Sequence, residues 1–255
     1  MNQPDASTDN PASPIPHQDV AAALGVHRGE LVAIVGGGGK TTTMFAIADG
    51  APVRSAIVTT TTKMGTDQTE GRPSLVNPSD AELVAALRDH RSIVVWGSTE
   101  GEKAIGIAPE TCARWLPLTD LVVVEADGAR RKSFKAPKAY EPVIPVGTSR
   151  LVACIGSDAL GAVISERCHR PERVAALALC SPDDRLTPKR AARVLLANDG
   201  SRKGCPTDAV FNVVINRIDD RSSVLAHELY EVLQDHGEAE RCDGVVMIRH
   251  HDLEP

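Results

Sequence analysis

Aromatic side chains are scarce, only 3% of the 255 residues. A core of any size must therefore be built from Val, Ile, Leu and Ala. No apolar run approaches the roughly 18 residues of a membrane-spanning helix, so no membrane span is expected. The N-terminus lacks the charged-then-apolar pattern of a signal peptide. Six cysteines are scattered through the chain without a CxxC pair, which argues against a zinc ribbon or a thioredoxin-type site. Reduced thiols in the cytoplasm are the expectation. A cationic surplus is missing too. The formal net charge is −6, the wrong sign for a nucleic-acid partner.

What remains suits a globular enzyme or binding protein, at 42% hydrophobic and 24% charged residues. Residues 1–17, rich in Pro, Ser, Asp and Asn, read as a disordered tail. Residues 18–255 read as a single nucleotide-binding domain. Strands are expected at 31–35, 55–59, 92–96, 120–125, 151–155, 209–215 and 244–248. Helices are expected at 40–49, 79–90, 109–115, 171–180, 188–198 and 222–235. Ser79-x-x-Glu82 forms a capping box before "LVAAL". Thr187-Pro188 is an N-cap followed by proline at the first helical position. Strands such as "LVVVEA" and "AVFNVVIN" are continuously apolar, as in a parallel sheet covered on both faces. A three-layer α/β fold of the P-loop NTPase type follows, with ligands at the carboxyl ends of the strands.

The stretch "IVGGGGKTTT", Ile34–Thr43, lies between the first strand and the first long helix. Backbone N–H groups and a helix N-terminus there can hold an anion. The common GxxxxGK[ST] pattern fails, because Ile34 stands at its first glycine. What remains is GxxGKT, Gly36–Thr41, similar to the shorter loop of Mur-type ligases. The dinucleotide fingerprint GxGxxG fails as well, because it needs glycine at Thr41. Gly36, Gly37, Gly38, Gly39, Lys40, Thr41 and Thr42 are the candidate nucleotide-binding residues. Lys40 adds a point charge, and the Thr41 hydroxyl can ligate Mg²⁺.

Other pieces fall at strand ends. "VTTTTKMG" offers Thr60 and Lys63 to a phosphate or a metal, against the alternative of a threonine-rich strand running into a loop. "DLVVVEADGAR" places Glu125 and Asp127 on one side of a strand end. Two carboxylates beside a triphosphate imply a divalent cation between them, or else a capped strand end with a turn. Asn216-Arg217-x-Asp219 resembles the NKxD motif that reads guanine, with arginine in place of lysine; the alternative is an ordinary polar turn. Arg130 and Lys135 sit in a basic run after the carboxylate strand, and His169 and Arg170 precede a helix. All four are candidate substrate or phosphate contacts, though a solvated loop is the default for such a run.

Taken in order, "IVGGGGKTTT", "TTTTKM", "VVEADGARRKSFKAP", "YEPVIP", "GSDALG", "CHRPERV", "LTPKRAARVL" and "INRIDD" resemble the YqeC family over roughly residues 28–250. That resemblance implies an accessory role in selenium-cofactor maturation of molybdenum hydroxylases. A hydroxylase of that type or its maturation proteins are the implied partners. The combined expectation is a cytoplasmic P-loop NTPase using Mg²⁺ with GTP or ATP. In it Lys40 and the loop amides hold β/γ-phosphates, Thr41 and Glu125 hold the metal, and Asp127 positions a water or an acceptor. Two rivals stand beside it. One is a kinase- or Mur-ligase-like transferase that activates a small anionic substrate. The other is a non-catalytic docking module gated by nucleotide.

Overall fold

The structure, a computed structural model, describes residues 13–69, 71–235 and 242–249. Eight strands form one sheet: β1 (Glu30–Gly36), β2 (Ala56–Thr60), β3 (Ser74–Val76), β4 (Ser92–Trp96), β5 (Leu121–Glu125), β6 (Arg150–Gly156), β7 (Val210–Ile218) and β8 (Gly244–Arg249). Their spatial order is β8-β7-β6-β1-β5-β2-β4-β3, and every pairing is parallel. All residues of β1, β2, β5 and β6 are buried. That is the burial a β-rich apolar run demands when helices cover both faces. The fold is therefore the three-layer α/β arrangement expected of a P-loop NTPase-like chain.

The helices are α1 (Val20–Ala23), α2 (Lys40–Gly50), α3 (Asp80–Asp89), α4 (Pro109–Arg114), α5 (Ile164–Arg167), α6 (Pro171–Ala178), α7 (Pro188–Leu196) and α8 (Ser223–Gln234). On one face, Met44, Ile47 and Ala48 of α2 pack on Val32, Ile34, Val58 and Val123. On the opposite face, α6, α7 and α8 bury Val174, Leu195 and Leu229 in a core that includes Leu151, Phe211 and Val213. The Ser79–Glu82 capping box is present at α3, and Thr187 caps α7 ahead of Pro188. No helix among the described residues is long and apolar enough to cross a membrane.

The topology fixes where a ligand can bind. Strands β2 to β4 are laid down on one side of β1, and the chain then returns to insert β5 beside it. Strands β6 to β8 extend the sheet the other way. Such a reversal opens a crevice at the carboxyl ends of the central strands. The register puts Ile34 beside Glu125, and Glu125 beside Thr60, so the glycine loop and the acidic strand end share one edge.

Several features differ from the sequence reading, the short helices α1 and α5 among them. The tail expected at 1–17 shortens from its inner end: Ile15 bridges Ile248 in parallel and packs on the core. The rest of that tail, residues 1–12, lies outside the described residues. Edge strand β3 and a three-stranded antiparallel sheet of Lys63–Gly65, Lys103–Ile105 and Ser98–Glu100 were not expected, nor was the pairing of Phe134–Lys135 with Cys168–His169. Each of these strands has two or three residues, too few for a period to emerge.

Candidate nucleotide site

The glycine loop joins β1 to α2 in a turn that only glycine can make. Gly36, Gly38 and Gly39 have φ values of 96°, 71° and 105°, the left-handed region where a Cβ is strained. At Gly37 the constraint is space, because a Cβ there would lie 2.6 Å from the Lys132 carbonyl oxygen. The amides divide between two tasks. Gly36 N–H donates to Asp127 Oδ2 at 3.2 Å, Gly37 to the Cys154 carbonyl at 3.0 Å and Gly38 to the Lys132 carbonyl at 3.1 Å. These three amides fix the loop to its neighbours. The first intrahelical bond runs from Thr43 N–H to the Gly39 carbonyl. The amides of Gly39, Lys40, Thr41 and Thr42 are thus the unspent donors at the positive end of α2.

Gly38, Gly39, Lys40, Thr41 and Thr42 form one side of a cleft of about 600 Å³. The same cleft is lined by Lys63, Met64, Gly65, Gln68, Lys103, Glu125, Gly128, Ala129, Arg130, Arg131, Lys132 and Arg217. Among the described lining residues seven are cationic (Lys40, Lys63, Lys103, Arg130, Arg131, Lys132, Arg217) and one, Glu125, is acidic, with Asp127, Glu100 and Asp67 paired to Lys40, Lys63 and Arg131 from outside that lining, in a chain whose net charge is −6. Charge of one sign concentrated in a concave site draws in an anionic ligand.

Lys40 is buried under the cleft floor. Its ammonium donates to the Gly36 carbonyl at 3.0 Å and lies 3.4 Å from Glu125 Oε1 and 3.5 Å from Asp127 Oδ1. Burial alone lowers its pKa, but Glu125 and Asp127 outweigh burial, so the pKa is raised and the side chain stays charged. Thr41 Oγ donates to Glu125 Oε2 at 3.0 Å and is within 2.9 Å of Gln68 Oε1. Two hard oxygen ligands, Thr41 and Glu125, thus meet on the lining of the anion site, which is the donor type that Mg²⁺ takes. Among the described residues no group of three or more His, Cys, Asp or Glu side chains could hold a metal. The ion would have to share its shell with ligand phosphates and water.

Other sequence candidates lie elsewhere. Asp127 faces the same way as Glu125 but is 2% exposed and sits behind Lys40, outside the cleft wall. Thr60 is buried and donates to the Glu125 carbonyl at 2.8 Å, holding the strand end rather than a ligand. Lys63 does reach the wall, where its ammonium pairs with Glu100 at 3.1 Å. Arg130 is exposed on the wall. Lys135, read as a phosphate contact, is instead buried between Asp127 at 3.0 Å and Glu141 at 2.8 Å. Arg170 is also an internal partner, forking onto both oxygens of Glu141 at 2.5 and 2.7 Å. His169 is off the cleft wall; burial and then Arg170, Lys135 and Arg130 press its pKa down to about 4.

The NKxD-like residues do not form a base pocket. Asn216 is buried beneath the loop, donating to Thr43 Oγ at 3.1 Å. Asp219 is exposed and accepts from Ser222 N–H at 2.8 Å and Ser222 Oγ at 2.7 Å, at the start of α8. Arg217, the departure from that motif, is the residue of the three that lines the cleft. Gln68 and Lys103 are further wall residues without a motif of their own. A count of cations at strand ends could have flagged Lys103, but nothing local to it does.

A family model described as "YqeC protein" matches residues 32–172, from β1 into the start of α6. A protein of Escherichia coli (strain K12), described as "Uncharacterized protein YqeC", is 31% identical over 218 residues. The alignment covers 82% of this chain and 84% of that relative. It is long enough to carry the sheet, the glycine loop and the acidic strand end together, and the chain belongs to the YqeC family.

Proposed function

We propose that this chain binds a nucleoside triphosphate with Mg²⁺ and hydrolyses it, in the service of selenium-cofactor maturation of molybdenum hydroxylases. The observation that carries the nucleotide reading is the junction of Thr41 and Glu125, 3.0 Å apart, in a cleft lined by seven cations and by four helix amides unspent among the described residues. On this reading the amides of Gly39–Thr42 cradle phosphate oxygens, and Lys40 exchanges its carboxylate partners for phosphate. Thr41 and Glu125 supply the protein's share of the Mg²⁺ shell. A bound Mg²⁺ neutralises charge on the phosphates and orients them. The maturation role rests on the family resemblance alone.

Calorimetry with ATP and GTP, each with and without Mg²⁺, tests the nucleotide reading. Triphosphate binding that strengthens with Mg²⁺ is expected. Lys40→Ala should weaken it about tenfold or more, since a charge-assisted hydrogen bond contributes roughly 1.5–3 kcal/mol. Absence of triphosphate binding at millimolar concentration, or an unaffected Lys40→Ala variant, overturns it. The maturation role is tested by deleting the gene in a host that makes such a hydroxylase and assaying selenium in the purified enzyme.

A further inference from the structure

The positive charge of the cleft is not evenly committed. Lys40 is engaged with Glu125 and Asp127, Lys63 with Glu100, Arg131 with Asp67 at 2.9 Å, and Lys132 with the Glu166 carbonyl at 2.6 Å. Arg217 lies 3.4 Å from Ser133 Oγ and 3.8 Å from Asp158 Oδ2. The side chains of Lys103 and Arg130 have no such acceptor among the described residues, yet both stand on the cleft wall.

They reach it from separate elements. Lys103 comes from the small antiparallel sheet, and Arg130 from the loop after β5. Arg130 and Arg131 both have positive φ, 50° and 61°. Two adjacent non-glycine residues in the left-handed region persist only where the surroundings enforce them, and such strain gathers at ligand sites. The space also continues outward. Lys103 and Arg131 also line an adjoining cleft of about 530 Å³ together with Asp67 and Glu102, and those carboxylates leave the larger cleft as the side on which Lys103 meets an anion.

The wall chemistry narrows what would sit there. Among the described residues the larger cleft's only carboxylate is Glu125, already bound to Thr41 and Lys40, and that cleft offers no His, Asp or Cys. A hydroxyl or amine acceptor needs a base to take its proton. A carboxylate or phosphate oxygen does not, because it is unprotonated at neutral pH. We propose that Lys103 and Arg130 form a second anion subsite for a carboxylate- or phosphate-bearing co-substrate that receives the γ-phosphoryl group. In that step the acceptor oxygen forms a bond to the γ-phosphorus as the bond from the γ-phosphorus to the β,γ-bridging oxygen breaks. The bonding pair leaves on the nucleoside diphosphate, and no proton changes place. The product is an acyl phosphate or a phosphoanhydride. This inference rests on the nucleotide reading above, with the co-substrate oxygen taking the place of water as acceptor.

The test loads the full chain with Mg²⁺ and a β,γ-methylene analogue of ATP or GTP, then measures binding of orthophosphate and, separately, succinate by equilibrium dialysis. The expected result is one further equivalent of at least one anion on the loaded protein, without release of the analogue. The double variant Lys103→Ser, Arg130→Ser should lose that anion at least fivefold more than it loses the analogue. Both positions are exposed, so the variant should fold. Preference for orthophosphate or for succinate assigns the acceptor class. Analogue binding with no second anion, displacement of the analogue by the anion, or equal losses in the variant would each overturn the subsite while leaving the nucleotide reading intact. Failure of the analogue to bind overturns both.

Discussion

The ammonium of Lys135 lies 3.0 Å from Oδ2 of Asp127, the same oxygen that accepts the Gly36 amide at 3.2 Å. Lys135 is 1% exposed, and its second carboxylate, Glu141, lies 2.8 Å away. A buried lysine between two carboxylates thereby ties the acidic strand end to the first glycine of the loop. Its charge serves the loop's shape and does not reach the cleft.

Lys135→Met should therefore act on folding. Removing one partner of a buried ion pair costs roughly 3–5 kcal/mol, because the remaining charge stays desolvated. Lys40 and Arg170 partly compensate the two carboxylates, which places the expected loss near the lower figure. Urea denaturation should show the midpoint falling with little change in slope. A variant of normal stability that had lost triphosphate affinity would return Lys135 to the role of a phosphate ligand.

The metal assignment separates from the phosphate assignment through Glu125 and Thr41. Glu125→Gln removes a charge from the proposed Mg²⁺ shell, and Thr41→Val removes the hydroxyl 3.0 Å from it. Both variants should bind the metal-free triphosphate about as well as wild type, and Glu125→Gln somewhat better, since an anion facing the phosphates is gone. The strengthening by Mg²⁺ should shrink several-fold in each. Calorimetry at several Mg²⁺ concentrations reads this directly. An unchanged Mg²⁺ response in both variants would leave the pair as a structural contact between α2 and β5.

The parts of this architecture that were legible in the sequence are those whose signal is local. Strands β1 and β5 announce themselves as unbroken apolar runs, and the four glycines before Lys40 mark a strand-to-helix turn. The Ser79–Glu82 box lies within four residues of itself. Signals that depend on distant partners were misread. The bond from Asn216 to Thr43 spans 173 positions, so Asn216 looked like a base reader when it is a strut beneath the loop. Lys135 and Arg170 looked like solvated or ligand-seeking cations because burial depends on Glu141 and Asp127 lying alongside. Lys103 sits in a strand of three residues with one buried side chain, a pattern too short to carry a period.

Base recognition follows from those positions. Asp219 is used by Ser222 at the start of α8, and Asn216 is enclosed under Gly39. Asp219→Asn keeps an acceptor for the Ser222 amide, so stability should change by less than about 1 kcal/mol. The ratio of ATP to GTP affinity should not move, and xanthosine triphosphate should gain nothing. Competition binding with the three nucleotides measures this. A gain for xanthosine triphosphate would restore guanine reading by Asp219.

Glu141 gives the fold a pH dependence with a definite sign. Burial works against its charge, but hydrogen bonds and attraction from Arg170 and Lys135 outweigh burial and hold its pKa near 2, against an ordinary 4.5. In the unfolded chain the carboxylate takes up its proton near 4.5, whereas in the fold it resists until about 2. Its stabilisation is therefore complete above pH 4.5 and is lost as the pH falls from there toward 2. A shift of that size corresponds to at most roughly 3 kcal/mol, reduced by solvent screening of the half-buried group. His169, with its pKa pressed down to about 4, adds a separate loss of stability between about pH 6.5 and 4. Glu141 is the smallest of the influences on His169 and opposes the others, so that loss is slightly larger in Glu141→Gln, and the comparison with wild type reads mainly the carboxylate. Urea denaturation at pH 7, 5.5, 4 and 3 should show the variant weaker by its full deficit at the two higher values. The gap should narrow at pH 4 and narrow further at pH 3, because wild type then loses the same charge that the variant never had. A deficit of equal size at pH 7 and pH 3 would mean that the glutamine is harmful for its shape, and that the ion pairs with Arg170 and Lys135 contribute little.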